Sequence, residues 1–308
     1  MKRIFGVAAA LVFILVLPLV IRDRYILHLL TMSGIAAFLS IGITLLLGVA
    51  GQVSLGQAGF YAVGAYASAL LTTRLGWPFW LALPAAGTAA AGAALTLGPV
   101  FHLRGHFLAV ATVAFAEIVR LVLLNWSNVT NGPRGIVGIP PPQFGSWVLD
   151  SVSTYYYLVL TLLCGALWIG VGLRRGRLGR AWRALGGNPE AAEASGVPVM
   201  KLKALAFGLA AFAAGLAGSL YAHLVGFVSP HTFTFEESVR ILAMAVLGGL
   251  GSFSGGVGGA VALTLLPELL RAFEQYRLLI LSALILVILI FFPRGLAGLW
   301  EGRGRNDG

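Results

Sequence analysis

The sequence predicts an all-α fold, a polytopic transmembrane helical bundle of about eight to ten membrane segments, some of them short or broken. Three observations lead there. Of the 308 residues, 58% are hydrophobic and only 10% charged, against roughly 25% charged in ordinary globular chains, so lipid is the solvent that suits this surface. Apolar runs recur along the whole chain, at 4–21, 25–49, 57–73, 79–100, 103–124, 155–173, 204–226, 238–252, 254–270 and 276–292. Charge, in contrast, is gathered: seven of the 21 Lys and Arg residues lie in the polar island 174–203. The chain therefore reads as one transmembrane domain, 1–308, with a polar loop at 174–203 inside it.

Taken in order, Met1-Lys2-Arg3 followed by apolar residues to Ile21 resembles a secretory leader. It ends without a small-x-small cleavage site, which makes it a retained first membrane helix. The runs at 57–73, 238–252, 254–270 and 276–292 fall short of the ~20 residues that a full crossing takes, so broken or re-entrant helices are expected among them. If all ten segments cross, both termini share a face with Arg104 and the island. That face carries 13 Lys and Arg residues (Lys2, Arg3, Arg104, the island's seven, Arg294, Arg303 and Arg305) against eight on the other. The positive-inside bias places it, with both termini, in the cytoplasm, although Arg22 and Arg24 then fall on the opposite side. The longest loop of the far side, about 125–154, contains Pro140-Pro141-Pro142.

Several chemistries are excluded. The formal charge of +10 would suit nucleic acid in a soluble protein, but no basic stripe is interleaved with exposed aromatics, and anionic lipid headgroups are the expected partner instead. Cys164 is the only cysteine, which rules out an internal disulfide or a cysteine metal site. His102 and His106 stand four apart with Arg104 between them, whose charge disfavours a metal cation. No Gly-x-x-x-x-Gly-Lys-Ser/Thr loop occurs, so the chain does not cradle ATP in that way, and no nucleophile has a base in reach. No catalytic residue, cofactor or metal is expected in this chain.

Four local patterns remain. Ala210, Ala214, Gly218 and Ala222 form a small-residue stripe suited to close helix packing. Thr234-Phe235-Glu236-Glu237 fits a capping box. Glu117 and Arg120, three apart in a membrane run, share a helix face; they form either a structural ion pair or a contact for a zwitterion. Finally, Leu47–Gly59 echoes Leu247–Gly259 at an offset of 200, with identity at Leu47, Gly48, Gly51, Ser54, Gly56 and Gly59. Gly-rich interruptions at matching places in two halves point to a substrate path, here Gln52, Ser54, Gly56 and Gln57 with Gly251, Ser252 and Ser254; tight turns at helix breaks are the other reading.

Within the island, Asn188-Pro189-Glu190-Ala191-Ala192-Glu193-Ala194-Ser195-Gly196 reads as a short helix. Asn188 caps it, Pro189 suits its first position, Glu190 complements its dipole, and Gly196 ends it. Glu190-Ala191-Ala192 followed by Gly196 resembles the EAA loop of ATP-binding-cassette importer permeases. Gly51–Ala58, Gly64-Ala65-Tyr66, Ala109–Asn125, Thr130–Ile136, Ala214–Gly218 and Gly248–Ser252 extend the likeness to the LivM-type branched-chain amino acid permeases, from Gly34 to Leu299. The resemblance implies a bacterial inner-membrane subunit that carries leucine, isoleucine or valine without catalysis of its own. It implies a LivH-type permease partner, two ATPase subunits that bind ATP and Mg, and a periplasmic or lipid-anchored substrate-binding protein. Glu190, Ala191, Ala192 and Gly196 would then dock on an ATPase, making 174–203 a cytoplasmic coupling loop. Urea permeases share many of these motifs, and an ion-coupled secondary transporter is the alternative of another class, with Glu117 as its ionisable group.

Overall fold

The structure, a computed structural model, describes residue 18 and residues 23–270 apart from 104, 145 and 146. The apolar run at 4–21 except for residue 18, the run at 276–292, Arg104 and the charges of both termini lie outside the described residues. The principal helices are α1 (Arg24–Ile43), α2 (Gln57–Thr73), α3 (Phe79–Leu95), α4 (His106–Asn125), α5 (Val152–Arg175), α6 (Arg177–Gly187), α7 (Pro189–Ala194), α8 (Val199–Val225), α9 (Phe235–Gly248) and α10 (Phe253–Leu269). Four are long and apolar enough to cross a membrane: α1 with its extension to Val49, α4, α5 and α8. The shorter α2, α3 and α10 hold 17 residues each and α9 holds 14. The bundle thus combines full-length with short helices.

At its centre α8 packs against α1, α2 and α3. Its stripe of Ala210, Ala214, Gly218 and Ala222 is buried. Without a water-driven hydrophobic force between helices in lipid, such small residues gain contact by letting backbones approach. A Cβ at Gly42 of α1 would sit 2.9 Å from the Ala210 carbonyl oxygen, and the backbones of Gly64 and Gly218 have no more room against their neighbours on α8 and α2. The stripe is a packing seam. In contrast, α4 and α5 have most of their residues uncovered by the described residues of the chain.

One end of the bundle is closed by the segment after α4. There β1 (Ile136–Val137) pairs antiparallel with β4 (Phe227–Val228), and β2 (Gln143–Phe144) with β3 (Trp147–Val148). Side chains bind this segment to helix ends: Arg74 donates to the Asn128 carbonyl at 3.1 Å, Trp80 Nε1 to that of Gln143 at 2.8 Å. The neighbouring His223 is buried and shares its ring nitrogens between Pro140 O (2.6 Å) and Ser68 Oγ (3.0 Å), which in turn meets Ser219 Oγ at 2.7 Å.

The island 174–203, expected to hold a short helix, comprises the end of α5, all of α6 and α7, and the first turns of α8. Within it Lys203 is buried, because its ammonium finds the carbonyls of Phe101 (2.8 Å) and Leu103 (3.4 Å) at the end of a 3₁₀ turn, Gly98–His102, which lack helical donors. One expectation is corrected: the capping box at α9 does not form. Thr234 stands at the N-cap without a side-chain bond to the helix, and Glu237 instead pairs with Arg240, one turn on, at 2.8 Å.

Candidate functional site

The short helix α7 is built as its sequence dictates. Asn188 Oδ1 accepts from the amides of Glu190 and Ala191, both at 3.1 Å, and Pro189 occupies the first turn, where its missing N–H costs nothing. Gly196 (φ +79°) ends it, and the Val197 amide reaches back to the Ala192 carbonyl at 3.0 Å, which satisfies an otherwise open acceptor. Of the four residues singled out here, Ala192 is buried while Glu190, Ala191 and Gly196 are exposed. Beneath α7, Trp182 and Leu185 of α6 are fully buried, and Trp182 Nε1 donates to the Leu202 carbonyl of α8 at 2.9 Å. The arginines of α6 stay outside, and Arg183 donates to the Arg174 carbonyl. This geometry gives an exposed, rigidly terminated helix on an anchored base.

That base touches the first Gly-rich break. Past Ile43, α1 widens into a π-helical turn, Thr44–Val49, and the chain then turns at Gly51 (φ +66°). A Cβ at Gly51 would lie 2.6 Å from Gly186 Cα of α6, so the two backbones meet with no space for a side chain. Gln52 is buried and donates to the Ala50 carbonyl (3.2 Å). Ser54, also buried, accepts from the Gly56 amide (3.3 Å). The Gln52 amide returns to the Leu46 carbonyl of the π-helical turn (2.9 Å), while two amides are held from other helices: Leu55 N donates to Thr112 Oγ1 of α4, and Ala58 N, in the first turn of α2, to Ser238 Oγ of α9, each at 3.0 Å. The Gln57 carboxamide is buried with neither its oxygen nor its nitrogen hydrogen-bonded.

The second break, residues 249–252, lies at the same end. Gly251 (φ +84°) abuts Gly48, so the two breaks are joined backbone to backbone. Ser252 caps α10 by accepting from Gly255 N at 3.2 Å, and the exposed Ser254 stands 3.3 Å from it, Oγ to Oγ. The predicted path residues therefore divide. Gly251 meets the end of α1, but Ser54 is enclosed while Ser254 faces outward, and no hydrogen bond among the described residues joins the two sets.

Glu117 and Arg120 do pair. Arg120 Nε donates to both carboxylate oxygens, at 2.9 and 3.1 Å, and its Nη2 also bonds Glu117 Oε1. The side chains remain 42% and 24% exposed, on the flank of a membrane-crossing helix. Two of the cavities among the described residues bear on the path. One, about 370 Å³ between α1, α5 and α8, is walled by Phe38, Leu45, Leu162, Phe212, Leu216 and Phe253 and has no charged group to hold a zwitterion. The other, about 410 Å³, lies at the opposite end to α7, between Thr72, Phe79, Pro140, Gln143 and His223. No cluster of three metal-ligating side chains occurs among the described residues. Thr112, Ser238, Gly186 and the Ser68–His223 chain went unseen in the sequence, because each acquires its role from a partner far along the chain.

Comparison with known proteins decides the family. Residues 25–292 match the family described as branched-chain amino acid transport system / permease component. The chain belongs to this permease family. It is 40% identical to the high-affinity branched-chain amino acid transport system permease protein LivM of Salmonella typhimurium (86% of this chain, 68% of the relative). Identity to LivM of Escherichia coli K12 is 38% (96% and 75%), and to LivH of the same strain 25% (87% and 92%). No solved structure matches the chain significantly. As a member of a family of permease subunits, the chain is an integral inner-membrane protein without a catalytic centre.

Proposed function

We propose that this chain is a membrane-spanning subunit of an ATP-binding-cassette importer through which branched-chain amino acids cross the inner membrane. It pairs with a LivH-type permease, is driven by two ATPase subunits that bind ATP and Mg, and receives cargo from a periplasmic or lipid-anchored binding protein. The similarity to both LivM and LivH proteins supports the paired arrangement. Helix α7, with Glu190, Ala191, Ala192 and Gly196, docks on an ATPase, and its end of the bundle is cytoplasmic, as are both termini.

The observation that carries this mechanism is the contact of Gly186 with Gly51. A displacement of α7 reaches α6 through one residue, Asn188, and α6 bears directly on the first break and through Gly48 on the second. Backbones packed without intervening side chains pass on a rigid-body shift rather than absorb it. The two breaks, Gln52 to Gln57 and Gly251 to Ser254, then form the cytoplasmic end of the substrate path.

Co-purification of tagged chain with the ATPase subunit tests the docking step. Glu190→Arg reverses the charge on the exposed face of α7, and Gly196→Trp forces a bulky side chain into φ +79°. Both variants are expected to lose the ATPase while retaining the second permease. Retention of the ATPase by both would refute α7 as its docking site.

A further inference from the structure

The ion pair on α4 is a charged feature in the interior of a membrane-crossing helix that the described residues leave partly exposed. Glu117 and Arg120 occupy positions 12 and 15 of the 20 residues from His106 to Asn125, well away from either end. Apart from each other, the described residues offer them no partner. Along α4, Leu108, Ala109, Thr112, Ala116 and Leu123 face the bundle, while Phe107, Val110, Ile118 and Leu121 face outward. At 100° per residue the pair falls between these two sides, on the flank shared with Val113 and Leu124. Hydrocarbon cannot surround a half-exposed carboxylate and guanidinium at this depth, so the flank faces water or protein.

We propose that Glu117 and Arg120 line the solute path at the seam between this chain and the second permease subunit, where they take up the two charges of an amino acid in transit. The inference rests on the importer reading above. An adjacent carboxylate and guanidinium match a zwitterion: Glu117 accepts from the α-ammonium, and Arg120 donates to the α-carboxylate. Val113 and Leu124 offer apolar surface to an aliphatic side chain. With no cargo present, the two side chains neutralise each other, so the path carries no unpaired charge, and exchange of one ion pair for two cargo contacts keeps the binding weak enough for release.

The test uses the reconstituted complex with its binding protein in liposomes, in a Cys164→Ser background. Leucine uptake and co-purification of the second permease are measured for Glu117→Gln, Arg120→Gln and the exchange Glu117→Arg/Arg120→Glu. Each single variant should assemble normally and lose uptake roughly ten- to hundredfold, the equivalent of a charge-assisted hydrogen bond. The exchange should not restore it. The Glu117→Cys variant should react with a water-soluble thiol reagent in the assembled complex, and Ile118→Cys should not. Unchanged uptake in the single variants, full rescue by the exchange, loss of the second permease, or an unreactive Glu117→Cys variant would each overturn the proposal. Failure of the unmodified complex to take up leucine would instead refute the importer reading itself.

Discussion

The two Gly-rich breaks, so alike in sequence, are held in different ways. The second needs only itself: Ser252 caps the helix that follows, the Gly249 amide returns to Ala245 and Val246, and four residues complete the turn. The first is longer, residues 50–56, and the helix it opens begins at Gly56 with no capping side chain of its own. The Ala50, Gln52 and Gly56 amides are satisfied locally, but Leu55 N is held by Thr112 on α4, Ala58 N just beyond the turn by Ser238 on α9, and the turn rests on Gly186 of α6. A locally satisfied turn moves with its helices as one piece. A turn hydrogen-bonded from two other helices and packed on a third changes whenever any of them moves, and it is the one placed next to the proposed coupling helix.

The sharpest test of that contrast substitutes the two left-handed glycines. An L-residue at either pays about 1–2 kcal/mol for its backbone conformation alone. At Gly51 the added Cβ also meets Gly186 Cα at 2.6 Å, whereas at Gly251 the nearest atom is the Gly48 carbonyl oxygen at 3.0 Å. Gly51→Ala is expected to cut ATP-driven uptake by more than about tenfold and to loosen the link between ATP hydrolysis and transport, given that a 1.4 kcal/mol shift already corresponds to tenfold. Gly251→Ala should lower thermal stability by a similar amount while leaving hydrolysis and uptake in step. Equal uncoupling by both substitutions would show that the breaks act as one unit through Gly48.

A smaller effect is expected from the donors and acceptors that hold the first break. Thr112→Val and Ser238→Ala each remove one hydrogen bond to a backbone amide, at a cost of about 1 kcal/mol apiece. Because the two amides they hold, those of Leu55 and Ala58, lie three residues apart where the turn enters α2, the double substitution should depart from the sum of the singles by ~0.5 kcal/mol or more, measured by thermal unfolding in detergent. Strict additivity would mean that the turn keeps its shape without them, and the distinction between the breaks would weaken.

What was legible in the sequence is what local chemistry decides. The run 57–73 coincides with α2, because Gly56 and Arg74 bound an unbroken apolar stretch, and the Asn188–Gly196 helix has its start and stop within nine residues. The capping box at Thr234 failed for an equally local reason, since Arg240 competes for Glu237. Thr112, Ser238 and Gly186 were not legible, since their partners lie 57, 180 and 135 residues away and no periodicity links them. The burial of Lys203 was not legible either, because composition cannot tell a solvated lysine from one that closes the carbonyl end of another element. The repeat at 47–59 and 247–259 located both breaks correctly, but identity of glycines says nothing of what satisfies the amides around them.

The smallest expected effect falls on the second break. Ser252→Ala removes the cap on α10, worth about 1 kcal/mol at an N-terminus, and also frees Ser254 from its neighbour. Since this break carries its own hydrogen bonds and meets the end of α1 at Gly48, that loss should appear as a lowered melting temperature with uptake changed by no more than about twofold. A larger fall in uptake at unchanged stability would place Ser252 in the path itself. The two breaks would then share the work that the structure's hydrogen bonding divides between a coupled turn and a self-contained one.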